Sequence, residues 1–107
     1  MSSRNMRITV PLLKVLEQFL LQPTEQISGA DIVQNTRLAS GTLYPLLKRL
    51  EEANWLSSQW EDVLPEKVGR PRRRLYQITG LGSVHAKAAF RDTFAHQGVP
   101  VWSSVNS

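Results

Sequence analysis

The chain has 107 residues, enough for one small domain with a modest core and too few for two. Hydrophobic residues make up 41% and charged residues 21%, which argues against wholesale disorder. The formal charge is +4, and with no cysteine present, disulfides and thiolate metal sites are ruled out.

The positive charge is unevenly placed. Arg70, Arg72, Arg73 and Arg74 are four arginines within five residues, preceded by Glu61, Asp62 and Glu66. A local concentration of this kind says more about partners than the total does. The longest apolar patches, residues 10–15 and 19–21, fall well short of a membrane span. Residues 1–5 lack the basic head, apolar middle and small cleavage site of a signal peptide, so the expected location is cytoplasmic.

Taken in order, residues 1–9 read as a flexible, polar arm in which Arg4 and Arg7 are solvated. Thr9 is placed to cap a helix, and Pro11 suits a first turn. Leu12, Leu13, Leu16, Phe19 and Leu20 then trace one apolar stripe, predicting a core-packing helix over 10–21. A short connector follows, with one or two extended residues near Ile27. Ser28 and Asp31 have capping-box spacing, and Ile32 and Val33 anchor a short second helix ending near Asn35 and Thr36. The turn Arg37-Leu38-Ala39 leads into a third helix, for which Ser40 is the expected cap.

Leu43, Leu46, Leu47 and Leu50 lie at i, i+3, i+4 and i+7, the buried stripe of that third helix. Asn54 tolerates the left-handed conformation that closes a helix. Pro45 sits inside, at the expense of one backbone hydrogen bond, and predicts a slight bend or a tight first turn. Ser40, Gly41, Thr42, Tyr44 and Pro45 remain outside, with Lys48 and Arg49 a turn later. Two short helices joined by a three-residue turn, the second with an exposed polar start, follow helix-turn-helix grammar.

Residues 55–60 are rich in aromatic and hydroxyl groups and read as a strand. Residues 62–71, with two prolines and a glycine, read as a loop. Residues 72–79 read as the returning strand, Tyr76 and Ile78 facing the core. Its alternation sends Arg72 and Arg74 one way and Arg73 the other. A hairpin directly after a helix-turn-helix is a wing. The expected fold is therefore mainly α with a small β-wing: a winged helix-turn-helix over 10–79.

The run from Ser40 to Glu51 (SGTLYPLLKRLE), then Trp55-Leu56, then Gly69-Arg70-Pro71-Arg72-Arg73-Arg74 with Tyr76 and Ile78-Thr79, resembles the PadR family of bacterial winged-helix transcription regulators. Departures are Ala30 where many relatives carry an aromatic, Leu75 where a second tyrosine is common, and Asn54 in place of glycine. The resemblance implies a homodimeric repressor of transcription that binds double-stranded DNA. It also implies that the third helix recognises the sequence while the wing arginines contact the backbone or minor groove. Some relatives take a flat aromatic effector at the dimer centre, which would give Trp60 or Trp102 a role; Trp55 reads as a core anchor.

The last helix, expected over 80–97, is capped by Thr79 and weakened early by Gly80 and Gly82. It carries two apolar stripes, Leu81, Val84 and Ala88 on one and Ala86, Ala89, Phe90 and Phe94 on the other. Such a helix needs two partners, its own domain and a second copy. Leu81, Val84, Ala88, Phe90 and Phe94 are therefore the expected dimerisation residues. Residues 98–107 form a polar tail holding Trp102.

Ser40, Gly41, Thr42 and Tyr44 are the expected DNA surface of the third helix, since small residues allow close approach to a groove wall; Lys48 and Arg49 would reach phosphates. The competing reading is a merely solvated polar face. On the wing, Arg70 and Arg72 are the leading contacts and Arg73 the next, because clustered guanidiniums repel and need an anion to settle against. The bland alternative is a hairpin edge charged against aggregation. A winged helix that binds protein or RNA instead is the rival function, and it would tolerate replacement of the third helix's surface. Enzymatic activity is not expected. His85 and His96 are the only histidines and read as surface groups, and the Asp92–His96 pair supplies two ligands where a metal site needs more. No cofactor motif is present.

Overall fold

A computed structural model describes residues 6–97, and side chains through Phe94. The elements run α1 (Val10–Leu21), β1 (Ile27–Ser28), α2 (Gly29–Thr36), α3 (Ser40–Glu52), β2 (Leu56–Trp60), α4 (Pro65–Val68), β3 (Arg74–Ile78) and α5 (Gly80–Gln97). The fold is mainly helical with a three-stranded antiparallel sheet in the order β1-β3-β2. In the hairpin, Leu56 pairs with Ile78 and Trp60 with Arg74; on the other edge Ile27 pairs with Tyr76. No helix among the described residues is long and apolar enough to cross a membrane.

The core sits where α1, α2 and α3 meet the covered face of the sheet. Leu12, Val15, Leu16 and Phe19 of α1 pack with Ile32, with Leu43, Leu46, Leu47 and Leu50, and with Trp55, Leu56, Tyr76 and Ile78. Burying large apolar side chains of this kind is the dominant favourable contribution to folding. Met6 joins the cluster too, so the segment expected as a free arm is anchored from that residue onward. The reason is that a flexible thioether fills a gap better than it tolerates water.

Helix ends follow local chemistry. The Thr9 hydroxyl accepts from the Leu12 N–H at 3.3 Å and the Ser28 hydroxyl from the Asp31 N–H at 3.1 Å. Arg37 takes the left-handed conformation at φ 62° and turns the chain out of α2. The expected cap Ser40 is corrected by one residue. Ala39 is extended, and its carbonyl already accepts from the Thr42 and Leu43 N–H groups at 2.9 Å. Ser40 is thus the first helical residue, and no side chain caps α3. Pro45 is accommodated within a continuous helix. The Gly41 carbonyl that it leaves without a donor belongs to an exposed residue, where water can serve it.

The other end of α3 closes as a Schellman motif. Asn54, at φ 65°, donates to the Glu51 carbonyl at 3.0 Å, and Trp55 donates to the Leu50 carbonyl at 2.9 Å. This delivers Trp55 straight from the helix into the core, at 2% exposure. Three further expectations need correction. The loop over 62–71 contains α4, because Pro65 starts the turn and Gly69, left-handed at φ 73°, ends it. The returning strand begins at Arg74, two residues late, because the Arg73 N–H donates to the Glu61 carboxylate instead of a ladder partner. His85 is not a solvated surface group: its ring stacks on Trp55 at 5.0 Å with an interplanar angle of 4°.

α5 approaches the end of α3 closely. The Thr79 hydroxyl accepts from the Gly82 N–H at 2.9 Å and donates toward the Asn54 carbonyl at 2.7 Å. A Cβ on Gly82 would stand 2.1 Å from the Trp55 carbonyl oxygen, so this residue has to lack one.

Candidate nucleic-acid interface

The outer face of α3 carries the residues singled out from the sequence. Ser40, Gly41, Thr42, Tyr44, Lys48 and Arg49 are all exposed, while Leu43, Leu46, Leu47 and Leu50 hold the helix from behind. Tyr44 and Lys48, at i and i+4, share one line along the surface. Tyr44 leans back over the start of α2. A Cβ on Gly29 would meet its ring at 2.6 Å and its phenol oxygen at 2.8 Å, so the missing side chain of Gly29 is what lets the ring lie there.

Between these elements lies a notch of about 220 Å³ lined by Ser28, Gly29, Ala30, Tyr44, Arg72, Arg73 and Arg74. Three guanidinium-bearing residues, a phenol and the first N–H groups of a helix meet here with no carboxylate in the lining. Each of these groups is a donor suited to a phosphate oxygen. The separate predictions for α3 and for the wing thus converge: Tyr44, Arg72 and Arg73 line one notch. Ala30, a departure from the family pattern, is one of its small walls.

The four arginines are differently occupied. Arg70 grips Glu61 through both terminal nitrogens, Nη1 to Oε1 at 2.7 Å and Nη2 to Oε2 at 3.1 Å. That fork holds the Glu61 carboxyl down at about 2, with the Arg73 N–H and both guanidinium charges assisting against a smaller burial effect. The same pairing pushes the Arg70 guanidinium up. Arg72 donates Nε to the Val63 carbonyl at 2.7 Å. Arg74 lies 5.0 Å over the Trp60 ring and 3.7 Å from Glu51 Oε2. The Arg73 side chain makes no hydrogen bond among the described residues and is exposed. Lys48 and Arg49 likewise form no ion pair there.

Glu51 joins α3 to the wing: it accepts from the Ser58 hydroxyl and faces Arg74. Burial first, and then the Glu51 charge, push the Tyr76 phenol up. Sequence reading missed both Glu61 and Glu51 as partners. The available signal for Glu61 was its place just beyond the Trp60–Arg74 pair, which sets it opposite Arg73 once the hairpin is drawn.

On α5, Ala86 and Ala89 are buried and Phe90 packs against the domain's own core. Leu81, Val84 and Phe94 stay exposed at 48, 67 and 39%, with Ala88 half-buried. Of the residues expected at a dimer contact, Phe90 therefore faces inward and edge-on to Phe94 at 5.7 Å, while Leu81 and Val84 point away from the domain. Trp60 is exposed on the wing and Trp102 lies outside the described residues, as does the His96 side chain. No group of three metal-ligating side chains gathers among the described residues.

Solved structures repeat this fold. A PadR-like transcription factor from Bacteroides fragilis is 27% identical, aligning 89% of this chain with 84% of its own at a TM-score of 0.60. The smu.1704 protein from Streptococcus mutans UA159 is 26% identical over 89% of this chain and 98% of its own, at a TM-score of 0.56. AbfR of Staphylococcus epidermidis, in its overoxidized form bound to DNA, is 20% identical over 98% and 70%, at a TM-score of 0.67, and shares the fold. No curated protein matches the chain. The model of the transcriptional regulator PadR-like family matches residues 24–88, from the connector before β1 to the middle of α5, and so takes in the whole helix-turn-helix and wing. The chain belongs to the PadR-like family of transcriptional regulators, a family of regulators and not of enzymes.

Proposed function

We propose that the protein binds duplex DNA with sequence preference as a homodimer, and represses transcription by occupying its site. α3 enters the major groove with Ser40, Gly41, Thr42 and Tyr44 against it, and Lys48 and Arg49 meet flanking phosphates. The wing lies along the backbone or the minor groove, led by Arg72 and Arg73. The observation that carries this reading is the carboxylate-free notch in which Tyr44 of α3 meets Arg72 and Arg73 of the wing at the start of α2. One phosphate placed there would be shared by all three elements. The overoxidized AbfR, of the same fold, was solved bound to DNA.

The dimer is formed by the outward stripe of α5, Leu81, Val84 and Ala88 with Phe94, because two exposed aliphatic side chains on one helix face favour a two-fold partner. Two copies then present two α3 helices to half-sites about one or two helical turns apart.

Selection of bound sequences from random duplex, beside a sedimentation measurement of subunit number, tests this. The expected result is a symmetric motif, a dimer, and an affinity that falls steeply as salt rises. Thr42→Ala should blur preference at one position, while Arg73→Ala should weaken all sequences alike and lower the salt slope by about one. Val84→Glu, at an exposed position, should yield folded monomers. A protein indifferent to duplex at low ionic strength would overturn the reading.

A further inference from the structure

We infer that Glu61 is a positioning residue of the wing, and that Arg70 serves Glu61 and not DNA. The inference rests on the duplex-binding reading above and names what aims the wing. Between Glu61 and Arg73 no residue is buried. Burial, which holds α3, therefore has no grip on this part of the chain. What crosses the neck of the hairpin instead is polar. Glu61 donates its N–H to the Arg73 carbonyl at 2.9 Å and takes the Arg73 N–H on Oε1 at 3.2 Å. Both its carboxylate oxygens also hold Arg70, whose Nη1 reaches the Pro71 carbonyl as well at 3.2 Å. One carboxylate thus ties together two points of the returning chain, the Arg70 guanidinium and the Arg73 N–H, and Arg72 adds a tie to Val63.

The consequence is a division of labour among the arginines. Both terminal nitrogens of Arg70 are spent inside the hairpin, so it has little left to offer a phosphate. Arg73 has its backbone clamped on both sides by Glu61 while its guanidinium stays exposed and unbonded among the described residues. A carboxylate beside a phosphate-facing surface should repel DNA on charge alone. Its presence is accounted for if it orients the arginine that does make contact. The Arg70 fork holds the Glu61 carboxyl at about 2, so it stays ionised for this role from neutral to mildly acid pH.

The test compares Glu61→Gln, Arg70→Ala, the double variant and Arg73→Ala, using a labelled duplex selected by the unaltered protein and amide exchange read by NMR. Glu61→Gln should weaken binding on the order of tenfold, the scale of losing charge-assisted hydrogen bonds, although it removes a negative charge. Arg70→Ala should weaken it to the same extent, and the double variant no further, as for two residues acting as one unit. In all three the salt slope should stay as in the unaltered protein, whereas Arg73→Ala lowers it by about one. Equal or tighter binding by Glu61→Gln overturns the inference. So does a slope lowered by about one in Arg70→Ala, which would make Arg70 a phosphate contact.

Amide exchange reads the clasp without DNA. In Glu61→Gln the Arg73 N–H should exchange faster while core amides such as Leu47 keep their protection; an unchanged Arg73 amide sinks the proposal. Duplex indifference of the unaltered protein defeats the functional reading instead, and the Arg73 amide then judges the clasp by itself.

Discussion

α3 and the wing meet the same notch, yet they are held in place by different forces. α3 has four leucines sunk in the core, a helical hydrogen-bond ladder that lacks one bond at Pro45, and a Schellman closure at Asn54. The wing beyond Trp60 has no buried residue until the strand resumes and relies on the Glu61 fork and the Arg72–Val63 bond. A helix set by burial is stiff and indifferent to salt. A hairpin set by hydrogen-bonded charge keeps its orientation only while its partners stay paired. The difference teaches that stability and DNA affinity should respond to different residues.

The sharpest way to break that comparison is Leu47→Ala. Removing a fully buried leucine should cost about 2–5 kcal/mol, read as a lower urea midpoint. Wing variants such as Glu61→Gln should leave that midpoint in place. A wing variant as damaging as Leu47→Ala would mean that the hairpin is part of the core.

Next in size is a pair of glycines. Gly82→Ala sets a methyl 2.1 Å from the Trp55 backbone carbonyl, which has nowhere to go. Overpacking of this kind should cost about 1–3 kcal/mol or more, visible as a depressed thermal midpoint. Gly29→Ala meets only the exposed ring of Tyr44, which can swing away. It should spare the midpoint and weaken duplex binding, because Tyr44 then leaves the notch. Equal thermal losses at both positions would show Tyr44 to be a structural and not a binding residue.

Asn54→Ala should cost about 1 kcal/mol, since a Cβ-bearing residue without a local side-chain hydrogen bond is strained in the left-handed region; Asn54→Gly should cost nothing measurable. Thermal unfolding of both checks this.

The smallest effect is the pH response of the clasp. Glu61 is lowered from 4.5 to about 2, so its contribution is fully present above about 4.5 and is lost only as pH falls through about 2. Wing order should therefore be flat from neutral to mildly acid pH. An NMR titration of the Glu61 carboxyl with a midpoint near 4.5 would show that the fork does not form in solution.

The helices were legible because their signals are local. Thr9, Ser28, Asn54 and Thr79 act at helix ends as their chemistry requires, and leucine spacing gave the buried face of α3 directly. The Ser40 cap was one residue out because an extended Ala39 presents the same backbone pattern one position earlier. The wing was harder. Proline and glycine marked residues 62–71 as irregular, but the same two residue types also open and close α4. The strand expected from Arg72 starts only at Arg74, because a side-chain carboxylate captures the Arg73 N–H.

From the order of its residues alone, this protein declares a leucine-backed helix with a small polar outer face, a basic hairpin behind it and a final helix with two apolar sides. Those features depend on neighbours within a turn or two of chain, and so they can be read along it. Only the folded chain decides which arginine is free, that Tyr44 rests against Gly29, that His85 lies flat on Trp55, and that Phe90 faces its own domain while Val84 does not. Each of these depends on groups at least 9 positions apart or on which side of a helix finds the core first. Distance in sequence does not record that choice; packing makes it.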